Sequence, residues 1–110
     1  MGKLTTHVLD TARGRAGAGV RVEIYRVEGQ SRIALGETKT NADGRTDAPM
    51  LEGSRFTNGE YELVFHIGAF FDNNAFYDRV PIRVRINDAA QHYHVPLLCS
   101  PWGYTTYRGT

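Results

Sequence analysis

The chain has 110 residues, 41% of them hydrophobic and 23% charged, which suits one globular domain spanning 1–110 rather than a disordered segment. A chain of this size buries roughly 65% of the surface it exposes when unfolded, enough for one modest core. The formal net charge of +1 offers no electrostatic reason for nucleic acid or an anionic membrane as partner, and the single cysteine, Cys99, excludes an internal disulfide and suits a reducing compartment.

Short β-like runs alternate with turn signals along the whole chain, the pattern of a sandwich or barrel. Leu4 to Asp10 reads as a first strand, followed by a loop from Gly14 to Gly19 that carries three glycines. Val20, Val22 and Ile24 then alternate with Arg21, Glu23 and Tyr25, a strand with one buried face. Arg32 to Asn41 is read as the next strand. It ends in Asn41-Ala42-Asp43-Gly44, a tight turn in which glycine accepts positive φ without steric cost. Arg45 stands at the exit of that turn.

Residues 49–58 read as loop. From Glu60 to Ile67 the apolar side chains Tyr61, Leu63, Phe65 and Ile67 fall on one face. A short helix is expected over 68–75. Val80, Ile82, Val84 and Ile86 form the clearest strand, with Arg83 and Arg85 on the other side; Gln91 to Cys99 is the following strand. Pro101-Trp102-Gly103 turns the chain into a last strand from Tyr104 to Arg108. Seven or eight strands with almost no helix imply an all-β, two-sheet antiparallel sandwich.

Side chains alternate sides along a strand, so Val95, Leu97 and Cys99 share one face while His92, His94, Pro96 and Leu98 share the other. In the first strand Leu4, Thr6 and Val8 oppose Thr5, His7 and Leu9. With the valine faces inward, His7 and His94 point outward beside leucines. Two such strands side by side suggest a face covered by another subunit.

Histidine moves protons near neutral pH, and arginine grips planar anionic or carbonyl-rich ligands through a fork of donors. On the residues alone, solvated strand histidines are the better reading of His7 and His94, Arg45 is readable as a turn residue, and His7, His92 and His94 as a metal-binding trio without diagnostic spacing. His92 reads as a rim residue and His66 as structural. The apolar runs are too short to cross a bilayer. The N-terminal residues lack a secretory h-region, and Arg108-Gly109-Thr110 is not a peroxisomal address. The expected location is the cytoplasm.

Three blocks reach further. Leu4-Thr5-Thr6-His7-Val8-Leu9-Asp10, Thr40-Asn41-Ala42-Asp43-Gly44-Arg45-Thr46, and His92-Tyr93-His94-Val95-Pro96-Leu97-Leu98 running on to Tyr107-Arg108-Gly109-Thr110 resemble, in order, the signatures of the 5-hydroxyisourate hydrolases, the transthyretin-related enzymes. The resemblance covers the chain's full length. It implies a transthyretin-like sandwich of about eight strands and one short helix, assembled as a homotetramer, a dimer of dimers, with active sites in the channel between dimers.

The implied reaction is hydrolysis of 5-hydroxyisourate to 2-oxo-4-hydroxy-4-carboxy-5-ureidoimidazoline in urate degradation. General-base activation of water would drive it, with no metal or cofactor. The implied catalytic residues are His7, Arg45 and His94, with Tyr107 and Thr110 holding substrate. Thr110 departs from the usual terminal serine: it keeps the hydroxyl but adds a methyl and stiffens χ1. The loop 14–19 also lacks the proline often found there, which affects loop stiffness only. Transthyretin itself shares the fold, binds hormone and lacks the Tyr-Arg-Gly-Ser ending. A non-catalytic small-ligand carrier is therefore the alternative, and the fold alone does not separate the two.

Overall fold

The computed structural model describes residues 2–110. Two sheets face each other across one core. The first runs β2 (Arg15–Ala16), β1 (Lys3–Asp10), β8 (His92–Ser100), β9 (Gly103–Thr106), with β5 (Leu51–Glu52) also paired to β1. The second runs β4 (Ser31–Lys39), β3 (Arg21–Glu28), β6 (Gly59–His66), β7 (Arg79–Ile86). A four-residue helix, α1 (Ile67–Phe70), follows β6.

The alternation read from the sequence sets which faces meet. Leu4, Val8, Leu97 and Cys99 of the first sheet and Val22, Leu63, Phe65 and Val80 of the second are buried in the same cluster. Fully burying a side chain of this kind stabilises by roughly 1.5–3 kcal/mol. Buried polar groups on these faces are satisfied, as burial requires. Thr6 donates its hydroxyl to the Val95 carbonyl at 2.7 Å. The Asp10 carboxylate accepts from the amides of Ala12 and Arg13, both at 3.0 Å. On the outer face of the second sheet, Tyr25 and then His66 hydrogen-bond Glu23 and hold its carboxyl below the usual range, which gives His66 the structural place expected of it.

Four local expectations change. β1 and β8 run parallel, although the pairs within the second sheet are antiparallel. Alternation reports which face a residue takes, not the direction of the neighbouring strand. Residues 51–52 and 15–16 form two-residue strands against β1, inside segments read as loops, because pairings so short have no period to detect. The expected helix over 68–75 stops at Phe70: Asp72 and Asn73 adopt positive φ (56° and 64°), which a helix cannot continue through. The last strand begins at Gly103 and ends at Thr106.

These short pieces matter because of where they lie. β1 has β8 along one edge. Its other edge is occupied in turn by β5 at Lys3 and Leu4, by Arg45 opposite His7, and by β2 at Leu9 and Asp10. Thr40 anchors the strand leading into the Arg45 turn. Its hydroxyl donates to the Gly17 carbonyl and accepts from the Val20 amide, and the residue is 4% exposed. Thr40→Val is expected to lower unfolding free energy by about 1–3 kcal/mol, the cost of leaving buried partners unsatisfied, read as a lower urea midpoint. An unchanged midpoint would show that the hydroxyl is dispensable.

Candidate active site

The turn after β4 is built by one side chain. Asn41 Oδ1 accepts from the amides of Asp43 (2.9 Å) and Arg45 (3.2 Å), while the Gly44 amide donates to the Asn41 carbonyl at 2.9 Å. Gly44 takes φ +77°, and a Cβ there would stand 2.3 Å from the Val8 carbonyl oxygen and 3.3 Å from His7 Cδ2. Only glycine fits. The absent side chain lets the turn dock on β1, where the Val8 amide donates to the Gly44 carbonyl at 2.8 Å. Arg45 thereby becomes the backbone partner of His7.

His7 Nε2 lies 2.9 Å from the Asp43 carbonyl. A carbonyl only accepts, so Nε2 carries the proton and neutral His7 keeps its lone pair on Nδ1. His94 is held differently. Its carbonyl accepts from the Gly109 amide at 2.8 Å, and a Cβ on Gly109 would come within 2.7 Å of His94 Cδ2. The Gly109 backbone thus lies directly against the imidazole. Burial, then the charges of Arg45, His92 and His7, push the His94 pKa below the ordinary imidazole value.

Arg45, His94 and Thr110 line one open cavity of about 320 Å³, together with Thr5 and His92. The Arg45 side chain is exposed, so its donors are free to take a ligand. His7 is not in the wall of this cavity. It stands beside Arg45 on β1, close enough for its charge to act on His94. Tyr107 lies elsewhere. With Thr106 and Arg108 it lines a more apolar recess of about 370 Å³ between the β7 edge and the end of the chain, apart from the cavity that Arg45 and His94 share. Among the described residues, no three His, Cys, Asp or Glu side chains gather as a metal-holding group.

Sequence reasoning passed over Thr5, whose hydroxyl is 2.8 Å from both His92 Nε2 and His94 Nδ1. Its shared parity with His7 was the available signal. It also passed over Gly109, whose importance lies in the ring it accommodates.

Known proteins resemble this chain along nearly its full length. The family model described as HIUase/Transthyretin family matches residues 4–109. The chain is 52% identical to "5-hydroxyisourate hydrolase 2" of Rhizobium meliloti (strain 1021) over 116 aligned positions, covering 99% of this chain and 97% of that one. The solved structure of Klebsiella pneumoniae 5-hydroxyisourate hydrolase superposes with a TM-score of 0.85 at 34% identity, over all of both chains. The crystal structure of (S)-allantoin synthase superposes with a TM-score of 0.92 at 40% identity, covering 99% of this chain, which spans only 44% of that one. With a family match over nearly its whole length and a relative sharing half its residues, the chain belongs to the HIUase/transthyretin family.

Proposed function

We propose that this chain is a hydrolase of 5-hydroxyisourate, acting as one domain over residues 1–110. The observation that carries the reading is the joining of His94, Arg45 and Thr110 in one polar cavity, with His7 alongside. A cavity walled by Lys3, Thr5, Arg45, Asp47, His92 and His94 suits a small oxygen-rich heterocycle. It is a poor lining for the hydrophobic ligand that a non-catalytic carrier would hold.

Hydrolysis needs a base to take a proton from water, a group to stabilise the oxyanion that forms on the attacked carbonyl, and an acid for the departing nitrogen. His94, kept neutral by burial and by neighbouring cations, is the base. Arg45 offers a guanidinium fork to the carbonyl oxygen. His7, with Nε2 committed to the Asp43 carbonyl, presents Nδ1 as a second proton-handling group. The Thr110 hydroxyl holds substrate or water at the cavity wall.

The working unit is a homotetramer, a dimer of dimers. Phe76 (75% exposed), Trp102 (73%) and Tyr107 (56%) are large apolar side chains left uncovered in the single chain, as expected of a surface that meets another copy. A substrate contact from Tyr107 would come from such a neighbour. The location is the cytoplasm, in keeping with a lone thiol, Cys99, that is buried and free.

Generating 5-hydroxyisourate with urate oxidase and following its ultraviolet decay tests the reading. Faster decay with the protein than without supports hydrolysis; an unchanged rate together with tight binding of an apolar ligand would favour the carrier. In the same assay His94→Ala is expected to lower kcat about 100- to 10,000-fold, Arg45→Ala about 100- to 1,000-fold, and His7→Ala sharply, while sedimentation shows the assembly intact. Full activity in any of the three removes that residue from the chemistry.

The pH profile should carry an acid limb. Activity is held by neutral His94 and is lost as pH falls through a value below the usual ~6.5 of histidine. Arg45→Ala removes a positive charge near His94, so the His94 titration followed by NMR should move up. A downward or absent shift would contradict the electrostatic coupling. Gly109→Ala should lower kcat by displacing the His94 ring while leaving the thermal midpoint nearly unchanged; equal activity would show that the ring tolerates the added methyl.

A further inference from the structure

One hydroxyl lies between two histidines. In the parallel pairing Lys3 faces His92 and Thr5 faces His94, so the outward side chain of Thr5 reaches both outward rings of β8. Its Oγ1 is 2.8 Å from His92 Nε2 and 2.8 Å from His94 Nδ1. A threonine hydroxyl has one proton to give and lone pairs to receive. It donates to one ring and accepts from the other, so one of these two nitrogens carries hydrogen and the other does not.

The two tautomers are therefore tied together. When Thr5 donates to His92, His94 holds hydrogen on Nδ1 and leaves Nε2 as a free base. When Thr5 donates to His94, His94 holds its hydrogen on Nε2 and can act as an acid. The environments of the two rings differ in a way that suits such a pair. His92 is exposed to solvent, whereas His94 is half-buried and shares a cavity wall with Arg45, Lys3 and Asp47; burial and then the Arg45 charge disfavour a lasting imidazolium at His94.

We propose that His92, Thr5 and His94 form a proton relay that switches His94 Nε2 between base and acid during turnover, with Thr5 as the positioning residue and His92 as the exchange point with solvent. The turnover step rests on the hydrolase reading; the coupling of tautomers does not. His94 Nε2 takes a proton from the attacking water. The His94 Nδ1 proton passes to Thr5 Oγ1, the Thr5 proton passes to His92 Nε2, and His92 Nδ1 releases one to solvent. One proton enters and one leaves, only N–H and O–H bonds change, and no electrons are transferred. His94 ends neutral with hydrogen on Nε2, ready for the departing ring nitrogen. The reverse passage, with a proton taken up at His92 Nδ1, restores the starting state.

Three variants test this. Thr5→Val removes the hydroxyl while keeping shape and strand preference, Thr5→Ser keeps the hydroxyl, and His92→Gln places an amide that can bond the hydroxyl but cannot relay a proton. Imidazole nitrogen chemical shifts on the resting protein read the tautomers without substrate. The kinetic readouts are kcat, KM and a solvent-isotope proton inventory.

Thr5→Val is expected to change the tautomeric shifts of both remaining rings, lower kcat about 10- to 100-fold, a part of the general acid–base range, keep KM within about twofold, and turn a bowed inventory linear. Thr5→Ser should recover kcat to within about threefold of the parent. His92→Gln should lose kcat as Thr5→Val does while His94 keeps its Thr5 bond. Wild-type shifts in Thr5→Val would overturn the coupling, and wild-type kcat with a bowed inventory in His92→Gln would overturn the relay. Absence of hydrolysis by the unaltered protein would strike down the turnover step and the hydrolase reading together, leaving the coupling to be judged by the shifts alone.

Discussion

The register of β1 is the constraint on which the site depends. Both edges of this strand are in use. β8 runs parallel along one, with Thr5 opposite His94 and His7 opposite Pro96. Arg45 closes the other between two short strands. A slip of one residue would exchange the two faces, bringing Thr6 and Val8 outward and driving His7 into the core. What prevents it is the inward set: Leu4, Thr6, Val8 and Asp10 are all at most 1% exposed, and the Thr6 hydroxyl meets the Val95 carbonyl through the observed pairing. The hydrophobic core and the position of the candidate catalytic groups are thus two consequences of one pairing.

Space and charge complete what the register begins. Two glycines leave room for two rings, Gly44 beside His7 and Gly109 against His94, and each belongs to a backbone pairing that fixes a site residue. The orienting work is done by absent side chains, since a methyl at either position would have to displace a neighbour, the Val8 carbonyl or the His94 ring. Around His94 burial lowers the pKa most, and the charges of Arg45, His92 and His7 add to it. The cationic field that adds to burial in lowering the His94 pKa would, in the proposed hydrolase, also attract an electron-rich substrate and stabilise negative charge as it develops. Base strength and oxyanion stabilisation are therefore coupled through Arg45.

Much of this was legible in the sequence, for identifiable reasons. The parity of β1 and β8 placed His7 and His94 outward, because a period of two is a local property that survives folding. Asn41 to Gly44 announced a tight turn, and Gly44 indeed takes positive φ, which put Arg45 at its exit. What stayed hidden is non-local. No period marks Leu51–Glu52 as a strand, since its two residues take their identity from β1. The parallel direction of β8 is invisible to parity. The Thr5 bridge needs knowledge of which residue of β8 lies opposite, and the placement of Tyr107 in a separate recess depends on how the end of the chain leaves β9. The family resemblance supplied the members of the candidate site; it did not supply the contacts that tie them together.

The outer face of the first sheet also bears on why an assembly matters to the chemistry. In the single chain Arg45 is exposed, and a solvated guanidinium is screened so strongly that its stabilisation of a developing oxyanion is small. The cavity beside it is open to solvent on that face. Covering the face with a second copy would exclude water and raise the value of every charge within it, and the half-buried Leu9 and Leu98 on the same face would gain a partner at the same time. In this reading the apolar and polar residues of one sheet surface would cooperate: the leucines would recruit the neighbour that makes the arginine and histidines effective. An assembly that left this face in solvent would have to obtain the same rate from a guanidinium weakened by water, so assembly and catalytic power should be lost together as the protein is diluted.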